Sequence, residues 1–292
     1  MSSPRWLVGH TRDVIGKSVD AEVGSVSSEP SNADLDVYFV GAGPGAADLL
    51  TVRATRLLRA ADIVLYPGTY LDSDVLESCS PTADFVDTQN LDLDAIATRV
   101  IEGHRAGLRV VRLVSGDPSL YSALSEQARR LDAAAVPWQV VPGVAAYAAA
   151  AARVGRELTV PLVAQSVVLT RVQHQSTAMP ESESLDAFAA TGATLVLHLA
   201  ITRTRELMAR LEPTYGAKCP AVVVYRASQP GERALRGTVA DIADQVESAG
   251  WRQAAVILIG RALTERLDPL AGESYLYDPE RDRSATHVGG PR

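Results

Sequence analysis

From Val37 onward the chain alternates short apolar runs with longer amphipathic stretches, and that alternation constrains its fold more than any other feature. Residues 37–40, 63–66, 109–114 and 138–141 are rich in Val, Ile, Leu and aromatic side chains. Runs so short suit strands buried in a sheet better than packed helices. Between them, residues 51–60, 94–106 and 121–131 carry apolar positions at helical spacing, with Val52, Leu57 and Leu58 expected inward in the first. Gly107 follows the second stretch, where a left-handed cap fits. Strands joined through helices predict a parallel sheet with both faces covered. Residues 145–152 are nearly all alanine around Tyr147, which suits a helix lying close to other backbone. The alternation then resumes at 167–170, 194–199, 202–211, 221–225, 239–247 and 255–259. The chain therefore divides into an α/β domain at 35–153, a hinge at 154–161 and a second α/β domain at 162–265. Residues 1–34 and 266–292, rich in Ser, Gly, Pro and charge, are expected to be irregular tails.

Composition narrows the function classes. The 292 residues are 47% apolar and 22% charged, which is globular. A net charge of −7 offers no general basic field for nucleic acid. No apolar run is long enough for a transmembrane helix, and the opening residues do not read as a secretory signal. Cys79 and Cys219 lie far apart and form no CxxC, so a disulfide framework and a zinc ribbon are not expected. His10, His104, His174, His198 and His287 are dispersed without metal spacing, so no metal site is expected. A cytoplasmic enzyme or small-molecule binder is the expectation.

Three loops at strand ends carry the chemistry. Gly41-Ala42-Gly43-Pro44-Gly45-Ala46 formally satisfies the dinucleotide pattern GxGxxG/A. Two features argue against a dehydrogenase. Pro44 removes a backbone N–H where a pyrophosphate would be cradled, and Asp62 stands at the start of the second strand, where Tyr66-Pro67 ends it. The second loop, Ser115-Gly116-Asp117-Pro118-Ser119-Leu120-Tyr121, brings an acceptor and a bare glycine to a strand end; a capping role for Asp117 is equally open. The third, Val141-Pro142-Gly143-Val144-Ala145-Ala146, is either a ligand turn or a tight helix contact.

In this order the three loops resemble the tetrapyrrole methylase family, S-adenosylmethionine enzymes that methylate corrin precursors. The likeness runs from about residue 36 to residue 263. Segments 61–66, 157–161, 168–171 and 222–227 resemble the branch acting on C11 of precorrin-4. The resemblance implies a two-domain fold, each domain a mostly parallel sheet flanked by helices, with the ligand cleft between them. It implies S-adenosylmethionine contacts at Pro44, Ser115, Gly116, Asp117, Leu120, Ala145, Ala146, Leu199 and Ala227. It implies that Gly43 and Gly45 face a tetrapyrrole, and that the protein is a homodimer. An aspartate proposed as a base in the uroporphyrinogen-III methylases is replaced by Pro67, so no acid or base carries over. A polycarboxylate substrate calls for local arginines in an acidic protein, and Arg171 and Arg226 at strand ends are the candidates; Arg112 lies inside a strand. A cobalt-containing substrate, another ring position and a non-catalytic nucleotide sensor are the alternatives.

Overall fold

The computed structural model describes residues 36–68, 71, 73–172, 179–264 and 272–281. The expected tail at 1–34 lies outside the described residues, as do most of 266–292 and His10, His174 and His287.

Five parallel strands form the first sheet: β1 (Val37–Gly41), β2 (Ile63–Tyr66), β3 (Asp84–Asp87), β4 (Val110–Val114) and β5 (Trp138–Val141), in the order β3-β2-β4-β1-β5. Side chains alternate between its faces. Val40, Val64 and Val111 pack under α1 (Val52–Ala60) and α2 (Ser73–Glu77), whereas Phe39, Leu65 and Val110 pack under α3 (Leu93–Arg105) and α4 (Leu124–Ala133). The two longer caps are local. Thr51 Oγ1 accepts from the Ala54 amide at 3.1 Å, and Asp92 Oδ1 from the Ala95 amide at 2.8 Å.

Two helix expectations need correction. Val52 is 69% exposed and Leu57 only partly buried, whereas Leu58 is buried as expected, with Ala54 one helical turn before it completing the stripe of α1. Helix α4 starts later than residue 121 because Tyr121 and Ala123 adopt left-handed φ values of 53° and 54°, which interrupt a right-handed helix.

The helices that follow the adjacent strands β1 and β4 lie on opposite faces, so the loops leaving these strands part from each other. Such a point opens a crevice beyond the carboxyl ends of the strands. The first and second loops of the sequence sit there.

The second sheet comprises β6 (Val167–Arg171), β7 (Thr194–His198), β8 (Pro220–Tyr225), β9 (Arg233–Thr238) and β10 (Ala255–Ile259), ordered β6-β7-β10-β8-β9. It is not mostly parallel, contrary to expectation. Only β6–β7 is parallel, and the other three pairings are antiparallel. Residues 226–232 between β8 and β9 are too short a link for a crossover, which needs a dozen residues or more, so the chain turns back as a hairpin.

Helices α6 (Leu185–Ala189), α7 (Thr204–Tyr215) and α8 (Ile242–Ala249) bury one face of this sheet, through Leu197, Val223 and Ile257 among others. Its other face, carrying Val196, Val224, Val256 and Leu258, packs on α5 (Ala146–Val154). Alanines bring that helix close: Ala150 is wholly buried. Helix α5 thus leads out of the first sheet and roofs the second. Both cysteines are buried and free.

Candidate active site between the two sheets

The ends of β1, β4 and β5 meet with backbone against backbone. Gly43 and Gly116 exchange hydrogen bonds, the Gly43 amide donating to Gly116 O at 3.1 Å and the Gly116 amide to Gly43 O at 2.8 Å. A Cβ on Gly143 would lie 2.3 Å from Gly116 O and 2.8 Å from Gly41 Cα. Only glycine permits that approach. Asp117 ties the same corner together. Its Oδ2 accepts from the Gly143 amide at 2.8 Å, and its Oδ1 accepts from the Ser119 amide at 2.8 Å and from the Ser119 hydroxyl. Burial alone would raise this carboxyl; the Ser119 and Gly143 donors outweigh it and hold the pKa below the usual carboxylate range.

The first loop reaches the second sheet. The Ala46 amide donates to Ser228 Oγ at 3.1 Å, and Gln229 Nε2 donates to Pro44 O at 2.7 Å. A Cβ on Gly45 would sit 2.0 Å from Gln229 Cγ. The amides of Ala42, Gly43 and Ala46 are all engaged within the protein, and Pro44 has none. A loop so occupied is poorly suited to hold a pyrophosphate.

Above this floor a cleft of about 280 Å³ opens between the two sheets, at the small end of ligand sites. Pro44, Ser115 and Ala146 line it from one side, and Leu199, Arg226 and Ala227 from the other. Six predicted site residues therefore share one wall-to-wall space. Gly43, Gly45, Gly116, Asp117 and Ala145 build its floor without lining it. Leu120 lies apart, in the turn where its amide donates to Asp117 O. Arg226 Nε donates to Gln229 Oε1 at 3.3 Å, bracing the tie between the sheets. Arg171 lines a separate hollow of about 480 Å³ with Tyr121. Arg112 is buried in β4, where Gln127 Oε1 and Leu113 O accept from it; burial pushes its pKa down to about 10.

Sequence reasoning missed Gln229, Val224, Val256, Gln253 and Ala254 in the site. Val224 and Val256 stand near strand ends in apolar runs, a signal that was legible; the 252–254 loop offered none. Backbone strain marks the place independently. Among the described non-glycine residues with positive φ, Leu199, Arg226 and Ala254 line the cleft at 53°, 49° and 52°. Ser228 and Tyr121, at 63° and 53°, make contacts across it. Each such residue costs about 1 kcal/mol or more, and such strain gathers at functional sites.

The lining suits a flat heteroaromatic ring with a polar tail. Val224, Ala227 and Val256 are apolar and small, while Ser115, Thr202 and Gln253 supply hydrogen-bonding groups. Burial lowers the His198 pKa, which keeps the ring neutral at neutral pH, and its Nε2 is buried without a hydrogen-bond partner among the described residues. Among the described residues no group of three or more His, Cys, Asp or Glu side chains is placed to hold a metal ion. No described helix is long and apolar enough to cross a membrane.

Residues 36–243 match the family described as Tetrapyrrole (Corrin/Porphyrin) Methylases. The chain belongs to the tetrapyrrole methylase family. Among its relatives, the precorrin-4 C(11)-methyltransferase of Rhodococcus erythropolis is 51% identical over 253 residues, covering 87% of this chain and all of that one. Among solved structures, a cobalamin-biosynthetic cobalt precorrin-4 methyltransferase superposes with a TM-score of 0.77 at 36% identity, covering 82% of this chain and all of the other. The uroporphyrin-III C-methyltransferase of Thermus thermophilus, solved with S-adenosyl homocysteine, gives a TM-score of 0.66 at 30% identity, covering 78% and 98% of the two chains. The glycine floor and the cleft residues from Pro44 to Gln229 fall inside residues 36–243, and the cleft residues Arg252 to Val256 lie beyond them.

Proposed function

We propose that this chain transfers the methyl group of S-adenosylmethionine to C11 of precorrin-4, giving precorrin-5 and S-adenosylhomocysteine, and does so as a cytoplasmic homodimer. The observation that carries the reading is one cleft, between two sheets, lined by five of the residues that the resemblance assigned to the cofactor and by Arg226, the strand-end candidate for substrate carboxylates. The 51% identity to a precorrin-4 enzyme, against 36% to the cobalt precorrin-4 enzyme, favours the metal-free ring.

The residues present fit the cofactor. Val224, Ala227 and Val256 offer a flat apolar wall for adenine, Leu199 closes it from the β7 end, and Ser115 and Ala146 stand opposite. Pro44, whose carbonyl Gln229 holds, fixes the first loop at the mouth. When bound, the cofactor would supply an electrophilic sulfonium methyl to a pyrrolic carbon, the S–CH₃ electron pair staying on sulfur and the methylated ring releasing a proton. The chain's own contribution is to hold two partners in one geometry, which is worth about 7–11 kcal/mol of barrier. Gly43 and Gly45, whose Cβ positions are crowded by Leu49 and Gln229, keep the first loop thin beside the tetrapyrrole, and Arg171 meets substrate carboxylates.

Calorimetry and turnover test the reading together. S-adenosylhomocysteine should bind and NAD should not, and precorrin-4 should gain a methyl whose carbon NMR signal reports C11. Tight NAD binding without the sulfur ligand would overturn it. Cofactor binding without turnover of any precorrin would favour a nucleotide sensor.

A further inference from the structure

His198 ends β7 on the face it shares with Val196, the face turned toward α5. Its Nε2 is shut away from solvent and has no hydrogen-bond partner among the described residues. Interiors seldom leave such an atom unpaired, because burying it forfeits its bond to water. Two neighbours indicate what it awaits. Across the parallel β6–β7 pair, His198 stands in register with Arg171, so both side chains leave the same face. From the first sheet, Tyr121 lays its ring against the imidazole, with centroids 5.5 Å apart and planes tilted by 52°. The Tyr121–His198 contact thereby stands between the cleft, which His198 lines, and the hollow lined by Tyr121 and Arg171. The cleft side carries Val224 and Val256 together with Arg226 and Arg252, and the hollow carries Arg171, the cation that stands in register with His198.

We propose that His198 is a positioning residue for the tetrapyrrole, its Nε2–H donating to a substrate carboxylate whose charge Arg171 meets from the adjoining strand. The inference rests on the methyl-transfer reading and names a residue that reading does not use. A neutral imidazole suits the task, since it donates one hydrogen bond without adding a second buried charge. Glu183 also lines the hollow, so a carboxylate is selected by where Arg171 and His198 stand and not by the overall charge there. Tyr121 packs its ring against the imidazole and limits its movement.

Two substitutions separate the hydrogen bond from the shape. His198→Phe keeps a ring against Tyr121 and removes Nε2, whereas His198→Gln returns an amide nitrogen near that position. His198→Phe is expected to raise KM for precorrin-4 about tenfold, and to weaken binding of the stable polycarboxylate uroporphyrin III (read by fluorescence quenching) to a similar extent. Affinity for S-adenosylhomocysteine should stay within about twofold, and His198→Gln should recover most of the loss. The proposal is overturned if His198→Phe behaves as wild type, if the Phe and Gln variants are equally impaired, or if cofactor affinity falls as far as tetrapyrrole affinity. Should the wild type itself neither bind S-adenosylhomocysteine nor methylate precorrin-4, the methyl-transfer reading fails, and the porphyrin comparison still decides the role of His198.

Discussion

Asp117 joins two loops through one carboxylate, and its behaviour with pH reports that junction. Folding lowers its pKa, so the ionised form stabilises the native state at pH above the unfolded carboxylate value, and this stabilisation is lost as pH falls through the folded value. Asp117→Asn should cost about 1 kcal/mol at about pH 7, the low end for a charged hydrogen-bond network because solvent partly screens the group. Urea denaturation of both proteins should show the gap closing below about pH 4; a gap indifferent to pH would mean that the amides of Gly143 and Ser119 do not depend on the charge. The loop glycines were legible at this scale, because a strand followed by bare backbone has few purposes. The choice left open for Asp117 was resolved by Gly143: the carboxylate caps its own turn and also grips the neighbouring one. Nothing local in the sequence announces a bond across 26 residues.

Strands were legible where they carry an apolar run, and the edge strands β5 and β6 were read from such runs as readily as the central ones. Strands β1, β4, β7, β8 and β10 carry nearly continuous apolar runs, broken in β4 by the buried Arg112, because both their faces are covered. The strands that went unread, β3 and β9, are edge strands. β3 is exposed at three of its four residues, and β9 contains no fully buried residue, so neither leaves an apolar signature. Missing β9 is what made the second sheet look parallel. Helix α5 illustrates the reverse case, since its alanines forecast close approach without saying to what. Its contact with Val222, Val224 and Leu258 leaves no room at Ala150. Ala150→Leu should destabilise the protein by about 1–3 kcal/mol through overpacking. Thermal melting checks this, and an unchanged midpoint would show that α5 is looser than its burial indicates.

The two sheets act as one molecule through few polar ties. Ser228 to Ala46 and Gln229 to Pro44 span 182 and 185 residues of sequence and close one side of the cleft. Arg153 pairs with Glu232, and Arg236 donates to Val154 O, fastening α5 to the β8–β9 hairpin. Replacing Ser228 and Gln229 together by Ala should weaken S-adenosylhomocysteine binding about tenfold, with little change in melting temperature because the cores stay intact. Calorimetry would expose the opposite outcome, unchanged affinity with lowered stability, which would make the ties structural only. The −7 net charge also belongs to this scale: an acidic protein holding a polycarboxylate depends on the placement of a few cations and donors, such as Arg171 and His198, and not on its overall field. By itself the sequence determined which segments are strands with buried faces, where glycine and proline bare the backbone, and through those loops the family. Only the tertiary structure decided that the second sheet runs mostly antiparallel and that Gln229, Val256 and His198 meet Pro44 and Ser115 around one cleft. The physical reason is that hydrophobic periodicity records which face of an element is buried and not the direction or identity of its partner. A site assembled from residues nearly two hundred positions apart is therefore written in packing, where no local pattern carries it.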